Sequence, residues 1–274
     1  MNNLLSLAVF AIPAFAVCDR AFLKAATDDY IVAQSAGQPS GVSAFASPDL
    51  SYTENNKVVD IAKGVLSQPI KLDYNFSAFD TVRCATITEL IAANDPRPHV
   101  IHTRMVFNEN NTADLIESVV TNKGDWLFNA TGTLDLVRPE SWPEISKEKQ
   151  DTREVVQAAG DAYFDRFGNT SVIVPWGPPC YRVEGGTLRS NDSFCEMVWP
   201  STIYVPYRRY VVDEVLGVVD MFVGFPGLDR TQGEDPMPDS HLFRVEGGRI
   251  KYSHTASACV VDGCGLNGTF GPSL

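Results

Sequence analysis

Asp220 stands inside the apolar run Val218-Val219-Asp220-Met221-Phe222-Val223, and His241 and His254 fall on two segments that read as neighbouring hairpin strands. A charge inside an apolar strand must face a cavity or solvent, and burial in a cavity raises a carboxyl pKa toward working pH. Beside an imidazole it can then take up and return a proton. The catalytic reading is therefore an Asp220–His241 dyad with His254 nearby, and with Arg244 or Arg182 holding an anionic intermediate. The competing reading is an outward Asp on an amphipathic strand plus a surface His. In the first half, Asp73, Glu89 and His102 are candidates for the same part, although strand alternation explains Glu89 and His102 equally well. Trp126 and Trp176 either wall a pocket or stack on a sugar, or else fill core, the commoner place for tryptophan. The candidate substrate-binding residues are Trp176, Arg182, Arg244, Glu89 and His102.

Other chemistries leave no trace. The chain has no Gly-x-Ser-x-Gly elbow, no His-Glu-x-x-His, no phosphate-binding glycine loop and no dinucleotide fingerprint, so no cofactor is expected. Cys259-x4-Cys264 beside only four histidines lacks a second ligand pair, so no metal is expected either. The repeated Arg-Val-Glu-Gly-Gly at Arg182–Gly186 and Arg244–Gly248 reads as two hairpin turns, not a ligand motif.

The elements that must position these groups occur twice. Lys24-Ala25-Ala26-Thr27-Asp28-Asp29-Tyr30 and Gln157-Ala158-Ala159-Gly160-Asp161-Ala162-Tyr163 share Ala-Ala-x-Asp-x-Tyr. Both lie in amphipathic helices, with apolar stripes Ala26, Tyr30, Ala33 and Val156, Ala159, Tyr163, Phe167. A short strand follows each, Leu50–Thr53 and Ser171–Val174, and then longer ones. These are Ala85–Ala92, Val100–Asn108 and Leu115–Thr121 in the first half, and Tyr207–Val215, Gly217–Phe225, Ser240–Glu246 and Arg249–Ser257 in the second. Gly247-Gly248 supplies the positive φ of a two-residue turn. A helix followed by a curved antiparallel sheet is the order of an α+β cone, in which the sheet wraps the helix and leaves a pocket. The reading is two such units: a signal peptide over 1–16, a first domain over 17–138, a linker over 139–150 and a second domain over 151–274. Ser146, or Asp151 with Glu154, is the expected cap of the second helix.

The apolar stretch Leu4–Ile12, closed by Pro13-Ala14-Phe15-Ala16, reads as a secretory signal cleaved after Ala16. It is too short to span a bilayer, and no later run approaches the roughly 20 apolar residues needed. Six cysteines in a chain bound for an oxidising compartment predict three disulfides. Short loops favour Cys180–Cys195 and Cys259–Cys264, leaving Cys18–Cys84. Sequons at Asn75, Asn110, Asn129, Asn169, Asn191 and Asn267 add N-glycosylation. With 34 acidic against 22 basic side chains and a net charge of −12, the chain repels nucleic-acid phosphate and anionic lipid, so neither is expected as a partner.

Cys18-Asp19-Arg20-Ala21-Phe22-Leu23, Gly124-Asp125-Trp126-Leu127-Phe128-Asn129, Pro175-Trp176-Gly177-Pro178-Pro179-Cys180 and Ser240-His241-Leu242-Phe243-Arg244-Val245-Glu246-Gly247-Gly248 resemble a filamentous-fungal family of secreted proteins. So do Tyr52-Thr53-Glu54-Asn55 and Arg208-Arg209-Tyr210-Val211-Val212-Asp213-Glu214. The resemblance covers nearly the whole mature chain. It implies a domain of unknown function in which each half is similar to the nuclear transport factor 2-like cone of polyketide cyclases and ketosteroid isomerase. No activity comes with it.

The leading expectation is a secreted, cofactor-independent lyase, isomerase or cyclase acting by acid–base chemistry on a small organic or sugar-derived substrate. It rests on analogy of fold. The rival is a non-catalytic extracellular protein that binds a ligand or engages a host or cell-wall component. A third reading is a homodimerising scaffold, since open cone sheets often pair.

Overall fold

The computed structural model describes residues 18–190, 195, 201–226, 236–261 and 264. The signal-peptide reading over 1–16 and the sequons at Asn191 and Asn267 lie outside the described residues.

Each unit opens with a helix, α1 (Arg20–Ala36) in the first and α3 (Arg153–Asp165) in the second, and α2 (Ala130–Val137) lies between the units. Asp19 caps α1 by accepting from the Phe22 amide at 2.7 Å. Gly37 ends it at φ 64°, where a Cβ would also strike Pro69. Leu23, Ala26, Tyr30 and Ala33 form its buried stripe, and Val156, Ala159, Tyr163 and Phe164 form that of α3. The α3 cap is Thr152, without a side-chain bond. The predicted cap Asp151 instead accepts from the Gly248 amide at 2.8 Å, tying the last hairpin to the helix start.

Strands β1 (Ala46–Glu54), β2 (Lys57–Val58), β3 (Tyr74–Asp80), β4 (Ala85–Ala92), β5 (His99–Phe107) and β6 (Ala113–Thr121) form one sheet in the order β2-β1-β6-β5-β4-β3. The second sheet contains β7 (Trp176–Glu184), β8 (Thr187–Leu188), β9 (Arg209–Asp213), β10 (Val218–Phe225), β11 (Met237–Glu246) and β12 (Arg249–Ser257) in the order β8-β7-β12-β11-β10-β9. The two orders are the same, so the chain is a tandem of α+β cone-like units, as expected. Both sheets are antiparallel except at β1·β6 and β7·β12, which pair in parallel. The predicted strand Ser171–Val174 is not a strand: that segment is a turn and coil, and pairing begins at Trp176. Strand β3 had no counterpart among the predicted strands.

Each sheet is covered on both faces. One face packs on its own helix, giving one core around Leu23, Tyr30, Ile101 and Ile116 and another around Tyr163, Phe164, Met221 and Phe243. The opposite faces pack on each other, with Ile87, Val100 and Val119 of the first sheet joining Val183, Val218, Phe222 and Leu242 of the second. Double burial explains why β4 and β11 are buried almost residue by residue and why neither face of these strands is polar in the ordinary way.

All three predicted disulfides are present. Cys18–Cys84 joins the chain ahead of α1 to the β3–β4 turn, Cys180–Cys195 ties β7 to the chain after β8, and Cys259–Cys264 closes the chain after β12. No helix among the described residues is long and apolar enough to cross a membrane.

Candidate functional site

Alternation on β10 and β11 separates the expected dyad. Asp220 pairs with Leu242, and His241 with Met221, so Asp220 and His241 point to opposite faces of one sheet. The outward-on-solvent reading fails as well, because the outer face is the sheet–sheet interface and Asp220 is fully buried there.

Asp220 belongs to a buried polar chain that crosses this interface. Its Oδ1 lies 2.9 Å from Ser240 Oγ, which lies 2.8 Å from His102 Nδ1. His102 Nε2 is 3.3 Å from Glu89, Glu89 is 3.0 Å from His254 Nδ1, and His254 Nε2 is 2.8 Å from Glu140. Glu89 and His102 come from the first sheet, Asp220, Ser240 and His254 from the second, and Glu140 from the connection. Burial pushes the Asp220 carboxyl up to about 7. Burial alone would lower the His254 imidazole, but the carboxylates of Glu89 and Glu140 raise it to about 10. Burial opposes ionisation of Glu89 too, yet His254 and His102 hold it far below the usual carboxylate range.

The Ser240 hydroxyl donates to Asp220 Oδ1, and His102 bridges Ser240 and Glu89 through its two ring nitrogens. The cluster is packed solid between two sheets and joins the units. Glu89 and His102, expected at a substrate, and His254, expected at catalysis, all lie in this cluster between the sheets and away from His241.

Arg244 also faces this side, donating to the Leu216 carbonyl and to Glu246 at 2.9 Å. It is not brought near Arg182. Asp73 binds the Asn94 amide at 2.8 Å on an exposed turn.

The concave face of the second sheet is different. Its register sets Asp239 beside Ser257, His241 beside Thr255 and Glu184, and Phe243 beside Ser253 and Arg182. Rows of polar side chains therefore line the inside of a cone whose other wall is aromatic. His241 Nε2 is 3.2 Å from the Tyr163 hydroxyl, and its Nδ1 is 3.0 Å from Asp239 Oδ2, close enough for an ion pair but not aligned as a hydrogen bond. Ser257 donates to the other Asp239 oxygen at 2.5 Å. Arg182 donates to Glu184 at 2.7 Å and lies 5.9 Å over the Tyr163 ring. Arg182 holds Glu184 well below its ordinary range against the cost of burial, and burial pushes the Tyr163 hydroxyl up. Trp176 meets the edge of the Tyr163 ring at 5.9 Å, and Trp126 reaches in from the connection to donate to Glu184 at 3.0 Å. Trp176 Nε1, Thr255 Oγ1 and Ser253 Oγ are buried with no hydrogen-bond partner.

The first cone shows what this face looks like without such a set. Glu54 ends β1 opposite Lys57 as Glu184 ends β7 opposite Thr187, which fixes the equivalence of the two sheets. On that register Asp239 and Ser257 correspond to Ile101 and Val120, His241 to Thr103, and Thr255 to Ser118. Tyr30, Thr103 and Ser118 close on one another at 2.7 and 2.8 Å, and Glu54 accepts from the Tyr52 hydroxyl at 2.6 Å, with no imidazole among them.

The structure thus brings together His241, Arg182 and Trp176 of the expected set and adds Asp239, Tyr163 and Glu184. Asp239 had a signal, since it lies two residues before His241 and shares its face. The sequence pattern starts that strand at Ser240, which leaves Asp239 just outside it.

The profile of a domain of unknown function, DUF8021, matches residues 149–257, which hold α3 and the second sheet. A comparison with curated proteins gives no match. Among solved structures, PrhC from Penicillium brasilianum is 10% identical over 37% of this chain and 82% of its own, with a TM-score of 0.27. AclR from Streptomyces galilaeus, described as a candidate hydroxylase, is 12% identical over 47% of this chain and 92% of its own, with a TM-score of 0.29.

Proposed function

We propose that this is a secreted, N-glycosylated protein whose second cone takes a small organic or sugar-derived molecule and acts on it by acid–base chemistry, as a lyase, isomerase or cyclase without a cofactor. The observation that carries the reading is His241, set between Asp239 and Tyr163 on a concave face that should otherwise be apolar. In this reading Asp239 orients the imidazole, His241 moves the proton, and Arg182 balances negative charge developing on the substrate. The unpartnered Trp176, Ser253 and Thr255 atoms are polar groups a ligand would satisfy, since buried polar atoms seldom stay unpaired. Three disulfides accord with export to an oxidising compartment.

A non-catalytic role is favoured by one observation, that His241 is only 4% exposed. The test is to incubate the protein with extracellular metabolite mixtures and follow each compound by mass spectrometry, beside His241→Gln and Asp239→Asn. A compound consumed by the wild type and spared by both variants supports catalysis. A compound retained unchanged supports binding. Consumption that survives His241→Gln removes His241 from the reaction.

A further inference from the structure

We propose that the N-linked glycan of Asn169 folds back onto the second unit, with its first two N-acetylglucosamine residues seated in the groove beside the end of α3. The inference rests on the export reading above. A groove of about 410 Å³ runs past Phe164, Asp165, Val172, Tyr204 and Arg208, and Asn169 is part of its wall. That volume falls within the range of roughly 300–1,000 Å³ typical of small-ligand clefts.

The sequon is arranged to present its nitrogen. Asn169 Oδ1 accepts from the Ser171 amide at 3.0 Å and the Ser171 hydroxyl at 2.7 Å, which fixes the side chain through its oxygen. Nδ2, the atom that carries a sugar, takes part in neither bond, and the residue is exposed. Tyr204 stands at the groove 78% exposed, with its ring free to meet a ligand. Its face suits the apolar face of a pyranose, as aromatic faces do generally. Val172, half-buried at the groove wall, offers apolar surface to an acetamide methyl. Arg208, fixed by Asp161 at 2.9 Å and Asp165 at 2.7 Å, offers a guanidinium edge to sugar oxygens. Tethering matters to the energetics: a covalently attached sugar meets the groove at high effective concentration, so weak contacts suffice.

The full chain is made in a eukaryotic secretory host, and occupancy is read from glycopeptide masses. Thermal midpoints are then compared for the wild type, Asn169→Gln, Tyr204→Ala and the double variant, and for the wild type trimmed to one sugar per site or fully deglycosylated. The expected result is an occupied Asn169 and a midpoint lowered by about 2–4 °C on full deglycosylation, the shift of a contact near 1 kcal/mol. Trimming to one sugar should cost less than that. Tyr204→Ala should lower the midpoint of the glycosylated protein and do nothing further in the Asn169→Gln background. Equal Tyr204→Ala effects with and without the glycan would overturn the proposal. So would an empty Asn169 beside filled Asn75 and Asn110, with the export reading intact; no sugar at any sequon would overturn both.

Discussion

Asp80 and Asp213 occupy the same register position in the two sheets and are bound in reciprocal fashion across the units. Asp80 pairs with the first residue of β4, and Asp213 with the first residue of β10. Arg153, at the start of α3, binds Asp80 at 2.8 and 2.6 Å, and Arg20, at the start of α1, binds Asp213 at 2.9 and 2.8 Å. The Val212 amide donates to Asp80 and the Phe79 amide to Asp213, each at 2.9 Å. Such a swap of identical contacts is the signature of a two-fold interface, here inside one polypeptide.

Removing either carboxylate should therefore loosen both units. Asp80→Ala strands a partly buried guanidinium and a buried amide, a loss of about 3 kcal/mol or more. Asp213→Ala should cost a similar amount. Urea unfolding followed by fluorescence checks both, and the matched architecture predicts one cooperative transition for the whole wild-type chain. Two separate transitions would refute the shared interface as the source of stability.

Asp220 sets a pH slope of unusual sign for a carboxyl. Its folded pKa, about 7, is raised above the unfolded value, so the folded state holds a proton the unfolded chain has lost. Its contribution is complete below the unfolded pKa of about 4 and is lost as pH climbs toward 7. Asp220→Asn keeps the shape and cannot ionise. The variant should gain roughly 1–3 kcal/mol over wild type at pH 8 and flatten the stability profile through that window, as measured by denaturation at a series of pH values.

Glu89 and His254 work in the opposite sense at opposite ends of the scale. His254, raised to about 10, stabilises fully below its unfolded pKa and loses that contribution as pH rises through its folded one. Glu89, lowered, stabilises above its unfolded pKa and loses its contribution as acid protonates it in the folded state. The pair is at full strength near pH 5–6. Glu89→Gln should cost about 3 kcal/mol there and bring the His254 titration down toward neutrality, read from imidazole proton shifts by NMR.

The three disulfides should rank by the loops they close. Their separations of 66, 15 and 5 residues predict losses of about 4, 3 and 2 kcal/mol for Cys18–Cys84, Cys180–Cys195 and Cys259–Cys264 when each pair is changed to alanine. Denaturant midpoints of the three double variants give the order directly.

The sequence made the local elements readable and hid the way they stack. Ala-Ala-x-Asp-x-Tyr located both helices, the cysteine spacing located the pairs, and Gly247-Gly248 located the last hairpin. What it could not show is that a strand can be covered on both faces. From sequence, Glu89, His102, Asp220 and His254 read as pocket groups or surface groups, because a charge on an apolar strand has those two outlets in a single sheet. Packing sheet on sheet supplies a third, a partner of opposite character on the other sheet. Asp80 and Asp213 likewise look like ordinary turn acids, each accepting from two following amides, until Arg153 and Arg20 arrive from the other unit.

His102 and Ser240 are register equivalents, each one residue before the position that faces its own helix, and they touch each other at 2.8 Å. In an association of two identical chains that spot would meet its own likeness, imidazole against imidazole or hydroxyl against hydroxyl. Because both halves are encoded in one polypeptide, mutation can treat the twins separately. The same freedom places Ile101 and Val120 in one cone where the other carries Asp239 and Ser257: a fused pair can differ between its halves, where a symmetric one must repeat every residue.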